Sequence, residues 1–432
     1  MDIFFQPGDH SAQTFYWPDS NGGHRLIFLP GVHIVSPIYL TGDNLTIMGS
    51  GANNTILNVK WPANFPDDTK INGIYGLTNH TTIKDITLDM KWQENGSRPR
   101  VGACGIIITG DWNVIQDCII KNTAGFWPNG SNGAVIWQES WAALTEPPYH
   151  ADAMNNSIIR CTAMDFYGNY CCGFYVGLQP NTSVYKQGGG ETRDCLVIGS
   201  PWVGFSQVCG LMKGNRTIDC GFGYRNDTGV FENFVMEGNV FTNCKSHGVM
   251  IDHDGWEMFC KDDVAGRNSV NVVIMNNSIS IAPTKPEGIN GGTVPLPINA
   301  RPGSRGILLH DGGRTNRKLI GFIAKNNVIN FMGERIPDEY ALLMDSNKFI
   351  NAVFEGNASN RSNWNHFSDP SFVDRDTPIA TTSIQIPIVG STSTLSMFAK
   401  QTDVKILGRN KKRTDLMMEV AGNPPKRINY IQ

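Results

Sequence analysis

The chain is 432 residues long, 17% charged and 40% hydrophobic, with 46 Gly, 23 Pro and a formal net charge of −3. That apolar fraction supports a core and excludes wholesale disorder, while the wealth of turn residues excludes a helical bundle. No basic excess is present to neutralise phosphates, so nucleic acid is not an expected partner. Apolar runs such as Ile106-Ile107-Ile108 are too short to span a bilayer.

Residues 1–9 lack a basic stretch followed by a sustained apolar run, so no signal peptide is expected there. An extracellular or periplasmic location would follow from a removed export signal, and a cytoplasmic one otherwise. The first 33 residues read as a lead-in and cap. From residue 34 the chain becomes a series of short β-rich runs broken by Gly, Asn and Asp, with no amphipathic helical period.

Two kinds of run alternate. The first places a thiol before an apolar pair, as in Asp117-Cys118-Ile119-Ile120, Arg160-Cys161, Asp194-Cys195-Leu196-Val197 and Asp219-Cys220. Asn then takes that slot in Gly238-Asn239-Val240-Phe241, Asn276-Asn277, Asn326-Asn327-Val328-Ile329 and Gly356-Asn357. The second run starts on a small residue: Gly133, Gly173, Gly204, Gly229, Gly248, Gly306 and Ala341. Two registers recurring together describe a coil whose turns stack about 4.8 Å apart, an all-β, single-stranded parallel β-helix. On this reading Cys118, Cys161, Cys195, Cys220, Asn239, Asn277, Asn327 and Asn357 form one interior column, with amides bonded rung to rung and thiols reduced. Adjacent Cys171 and Cys172 should face opposite ways, leaving at most one buried. The ten cysteines include no Cys-x-x-Cys pair, which excludes zinc knuckles.

Leu26-Ile27-Phe28-Leu29-Pro30-Gly31-Val32-His33, followed by Leu45-Thr46-Ile47-Met48-Gly49-Ser50-Gly51, resembles the opening of pectate-lyase-like proteins. The resemblance spans about residues 24–365 and implies a right-handed parallel β-helix. Most members of that superfamily act on polysaccharides along one long face, but phage tailspikes and adhesins share the fold, so chemistry must be read from the site. The coil is expected over 34–368. Residues 369–432 leave the rung pattern and read as a C-terminal cap or packing arm, with a homotrimer left open.

In the Gly-led runs the residue after Gly is apolar and should face inward, whereas the fourth should face outward: Trp137, Asn233, Asp252, His310 and Asp345. Asp227, Glu232, Asp252, Asp254 and Asp311 are then candidate catalytic carboxylates, gathered from consecutive Gly-led rungs at spacings that glycosidases use. Asp227 and Glu232 could instead terminate turns, and Asp252-His253-Asp254-Gly255 could be a turn or a calcium loop. Trp137, Trp202, Tyr224 and Trp256 are candidate sugar platforms, with His253 and His310 beside the acids. Arg305 could clamp a carboxylate or sulfate. Ser246-His247-Gly248 partly echoes a polygalacturonase motif, whose paired Asp and Arg-x-Lys partners are missing. Asp227 and the segment 232–239 resemble inulin fructotransferases, which implies an Asp and a Glu at work there.

The expected function is glycosidic-bond cleavage or fructosyl transfer on a poly- or oligosaccharide, by a pair of carboxylates and without a cofactor. A calcium-dependent lyase, with Lys245 or Lys261 as base beside Asp262 and Asp263, is one alternative. A non-catalytic glycan-binding stalk is the other.

Overall fold

A computed structural model describes residues 2–12, 23–62, 71–94, 102–126, 132–137, 153–176, 187–188, 190–207, 209–226, 231–252, 268–282, 304–310, 318–333, 339–344 and 348–360. It also describes the strands Trp364–Asn365, Val373–Asp374, Ser383–Pro387, Thr394–Ile406, Arg409–Glu419 and Lys426–Ile431. The chain is a right-handed parallel β-helix with three strands to a turn, each joining its own long sheet. One turn is Glu232–Glu237 in the first sheet, Val240–Cys244 in the second and His247–Asp252 in the third. The last four strands, from Ser383–Pro387 to Lys426–Ile431, form a separate antiparallel sheet. No helix among the described residues is long and apolar enough to cross a membrane.

The recurring Asp, Asn and Gly of the first kind of run have a local cause. That run is two strands, not one, and the residue between them turns the corner from the first sheet to the second with positive φ. Asp85, Asp117, Asp194, Asn276 and Asn326 lie between 54° and 59°, and Gly214, Gly238 and Gly356 between 65° and 68°. Gly, Asn and Asp enter this left-handed region at least cost. Arg160 occupies the same corner at 51° and is held in a two-pronged ion pair with Asp117, both bonds at 2.7 Å.

The next residue at each corner points inward and builds the ladder. The Oδ1 atoms of Asn215, Asn239, Asn277, Asn327 and Asn357 accept the main-chain N–H of the preceding rung's ladder residue. Cys118, Cys161 and Cys195 continue the column, all buried. Cys220 does not belong to it. It follows the second-sheet strand Arg216–Ile218, at the next corner, where its thiol faces the Val197 carbonyl. Asn215 takes the expected place because Arg193 pairs with Lys213, which sets the rung from Cys195 to Asn215. Thr217-Ile218-Asp219-Cys220 imitates the ladder motif but forms a different corner.

Glycines mark the third sheet for a steric reason. A Cβ on Gly248 would collide with Ile279 Cγ2 and stand 2.7 Å from the Gly306 carbonyl oxygen. Gly204, Gly223 and Gly306 occupy the same tight column on neighbouring rungs. The residue after each column glycine packs in the main core, as with Phe174, Phe205, Tyr224, Val249 and Ile307. In the rung of Gly133 the column position is held by Ala134, because Val135 pairs with Phe174. The expected register is therefore one residue out there. Trp137 pairs in register with Val176, one position short of the Asp252 column, and a one-residue slip of this kind exchanges the faces.

The outward side of the third sheet is covered as well. Cys172, Tyr175, Trp202, Phe222, Met250, Leu308 and Leu343 form a second apolar cluster there. Parallel sheets are commonly buried on both faces. Cys171 faces the main core and Cys172 the outer cluster, so both are fully buried, against the expectation of one. Cys104, Cys118, Cys161, Cys171, Cys172, Cys195, Cys220 and Cys244 are free.

Candidate functional site

The expected carboxylates divide between sheets. Asp252 ends a third-sheet strand and pairs in register with His310. Glu232 instead begins a first-sheet strand, opposite Cys209 and Val270, and Asn233 follows it there. The segment after Gly229 is thus no Gly-led rung of the third sheet, whose order passes from Phe222–Asn226 directly to His247–Asp252. Glu232 and Asp252 flank the same corner, between the third and first sheets, without sharing a column. Asp227, Asp254, Asp311, Asp345, His253 and Trp256 lie outside the described residues, as do Lys261, Asp262 and Asp263. For Glu232 and Trp137 only the backbone is described.

The described part of the site is the outward side of the third sheet. The residue preceding each column glycine faces outward, and successive rungs place Val203, Phe222, His247 and Arg305 side by side, followed by Tyr340. One column further along the strands, Arg225 pairs with Met250. Arg225 and Arg305 are 4% and 5% exposed, unusually buried for guanidinium groups. Aromatic faces accommodate their charge. Arg225 lies 5.3 Å from the Trp202 ring centre and 5.2 Å from that of Phe222, while Arg305 lies 4.8 Å from Tyr340. Cation–π contacts desolvated in this way are worth about 2 kcal/mol each.

His247 stands between the two arginine rungs, with its ring edge-on to Phe222 at 5.3 Å. Burial, reinforced by the nearby Arg305, Arg225 and His310, pushes its pKa down to about 3, so the imidazole is neutral at physiological pH. Ser246 Oγ lies 3.4 Å from its Nδ1. Asp252 and His310, each 6% exposed, complete the face at its strand ends. The column was expected to face outward; its described members Asp252 and His310 are buried. Arg225 was not among the sequence candidates, and His247 was noted only in the partial Ser246-His247-Gly248 echo. The usable signal was their offset from the column glycine, since His247 precedes Gly248 as Phe222 precedes Gly223.

Two expected sugar platforms serve elsewhere. Tyr224 is fully buried in the main core, stacked on Phe234, with its hydroxyl donating to the Gln207 carbonyl. Trp202 is on the outward side, but it is 3% exposed, with Tyr170 stacked on it at 4.1 Å and Arg225 5.3 Å from its ring centre, which leaves little ring for a sugar. Lys245 pairs with Asp219 at 3.3 Å, on the second sheet's side of the coil. Among the described residues no three His, Cys, Asp or Glu side chains gather as a metal site would require.

No protein-family model and no curated protein matches the sequence. Several solved structures are similar in fold. An endo-xylogalacturonan hydrolase from Aspergillus tubingensis aligns over 82% of this chain and 91% of its own, at 10% identity and a TM-score of 0.45. The A-module of the mannuronan C-5 epimerase AlgE6 from Azotobacter vinelandii aligns over 82% and 90%, at 13% identity and a TM-score of 0.42. The ORF18 protein of Geobacillus virus E2 aligns over 96% of this chain and 69% of its own, at 10% identity and a TM-score of 0.38. At these values the likeness is one of coil architecture, and any activity must be argued from this chain's own residues.

Proposed function

We propose that the protein is a carbohydrate-active enzyme that cleaves glycosidic bonds of a poly- or oligosaccharide at the corner between the third and first sheets. The supporting observation is Asp252 paired with His310 at the edge of a face carrying Arg225, His247 and Arg305. In such a surrounding a carboxyl is removed from water beside a titratable partner, the condition under which it serves as a general acid or base. Asp252 acts as one member of the pair. Asp227 or Glu232, which belong to the same corner by chain position, supplies the other. Arg305 contributes positive charge for a carboxylate or sulfate on the sugar.

The test is reducing-sugar release across a polysaccharide panel, with Asp252→Asn, Asp227→Asn and Glu232→Gln. Cleavage by the unaltered chain should be lost in Asp252→Asn and in at least one other variant, with little change in unfolding temperature. Full activity in all three variants would remove the proposed pair.

A further inference from the structure

The first sheet carries a second surface that the Arg–His face does not use. An open groove of about 550 Å³ runs across the outward side of that sheet, from Trp112 past Asn155, Ser157, Glu191 and Leu211 to Asn233. These residues belong to five consecutive rungs, so the groove is about 19 Å long at one strand spacing per rung. Along its floor Ser157 pairs with Glu191, and Glu191 with Leu211. These three are half-buried and sit on rigid strands.

Trp112 is the anomaly that gives the groove a purpose. Trp61, Trp92 and Trp202 are buried, whereas Trp112 is 55% exposed. It also occupies a corner with φ of 57°, where His80 sits one rung earlier at 55°, Gly321 further along, and Asn44, Asn155, Asn233, Asn271 and Asn351 on other rungs. A bulky residue is uncommon in that conformation, and Asn is the residue that the corner favours. The fold therefore accepts local strain to hold an exposed indole at the groove's end. His80, one rung earlier, lies parallel to it within 2° at 6.5 Å. Local strain at an exposed aromatic is a marker of a binding role.

We infer that this groove binds a linear glycan of neutral sugars, with Trp112 as the stacking platform at one end. The apolar face of a pyranose ring covers the indole, and the Asn155 and Asn233 amides and Ser157 hydroxyl serve the sugar hydroxyls. Charge selects the class. Among the described lining residues Glu191 is the one charged side chain, balanced by Arg193 at 3.5 Å, and none of them is a cation that would favour a uronate or sulfate. The inference does not depend on the reaction proposed for the third-sheet corner.

The test is native affinity electrophoresis of the full chain in gels cast with xylan, glucomannan, mixed-linkage glucan or dextran, and separately with polygalacturonate. The unaltered chain should be retarded in at least one neutral gel. Trp112→Asn should weaken that binding by about tenfold or more while leaving the unfolding temperature equal or higher, since Asn suits the corner. Trp112→Phe should retain most of the binding, and Asp252→Asn should bind as the unaltered chain does. Equal retardation of Trp112→Asn, retardation by polygalacturonate alone, or no retardation in any neutral gel would overturn the inference. Loss of cleavage in Asp252→Asn with binding intact keeps the two sites separable.

Discussion

Replacing Asn239 by Ala tests the ladder at its centre. The side chain is fully buried, and its Oδ1 accepts from Asn215 twice, from the main-chain N–H at 2.9 Å and from Nδ2 at 3.0 Å. Its Nδ2 donates to the Met212 carbonyl at 3.1 Å and to Asn277 Oδ1 at 2.9 Å. Truncation strands the Asn215 N–H in a dry interior, whereas the Met212 carbonyl keeps its place in the strand ladder. A stranded group costs about 1–3 kcal/mol, a large share of a typical total stability of about 5–15 kcal/mol. Asn330→Ala is the control: its amide reaches Met332 Sδ at 3.4 Å on the surface, and the expected change is within about 0.5 kcal/mol. Guanidinium unfolding gives the difference, and hydrogen exchange at the Asn215 amide locates it. A loss below about 1 kcal/mol, or unchanged protection at Asn215, would refute the assignment of the column as a bonded ladder.

Other outcomes follow from the same geometry. Because folding lowers the His247 pKa from 6.5 to about 3, its contribution to stability is complete above pH 6.5 and is lost as pH falls toward 3. That predicts a slope of about 1.4 kcal/mol per pH unit in this window. His247→Gln should flatten that slope, and an unaltered pH profile would count against the buried neutral imidazole. Burial raises the thiols of Cys118, Cys161 and Cys171 and pushes Cys220 up to about 12, so none of the four should accept a thiol reagent at pH 8 until the chain is unfolded. Labelling of the folded chain at any of them would contradict that burial, and a Cys161–Cys195 disulfide by mass mapping would contradict the column. Gly248→Ala should cost about 2–3 kcal/mol in thermal unfolding, because its new methyl meets Ile279 and the Gly306 carbonyl. An unchanged melting temperature would show that the rungs yield there.

Much of the coil is written locally in the chain. A corner with positive φ favours Asp, Asn or Gly, and the residue behind it must be small or able to bond to the rung above. The sequence therefore repeats Asp117-Cys118, Asp194-Cys195, Gly238-Asn239 and Asn326-Asn327 wherever the first sheet turns into the second. The glycines at 204, 248 and 306 have a similarly direct cause in the close approach of the next rung. These features disclosed a parallel coil and most of its ladder.

Register and cover were decided only by the tertiary structure. Rungs differ in length, so Cys220 and Asn215 compete for one slot, and the pairing of Arg193 with Lys213 settles it. The slip at Gly133 and the entry of Glu232 into the first sheet have the same origin. Side chains alternate with a period of two, and an error of one residue exchanges the faces. Asp252 was correctly read as outward on its strand, yet it is 6% exposed. Alternation states which way a side chain points, whereas what lies over that side depends on segments distant in the chain.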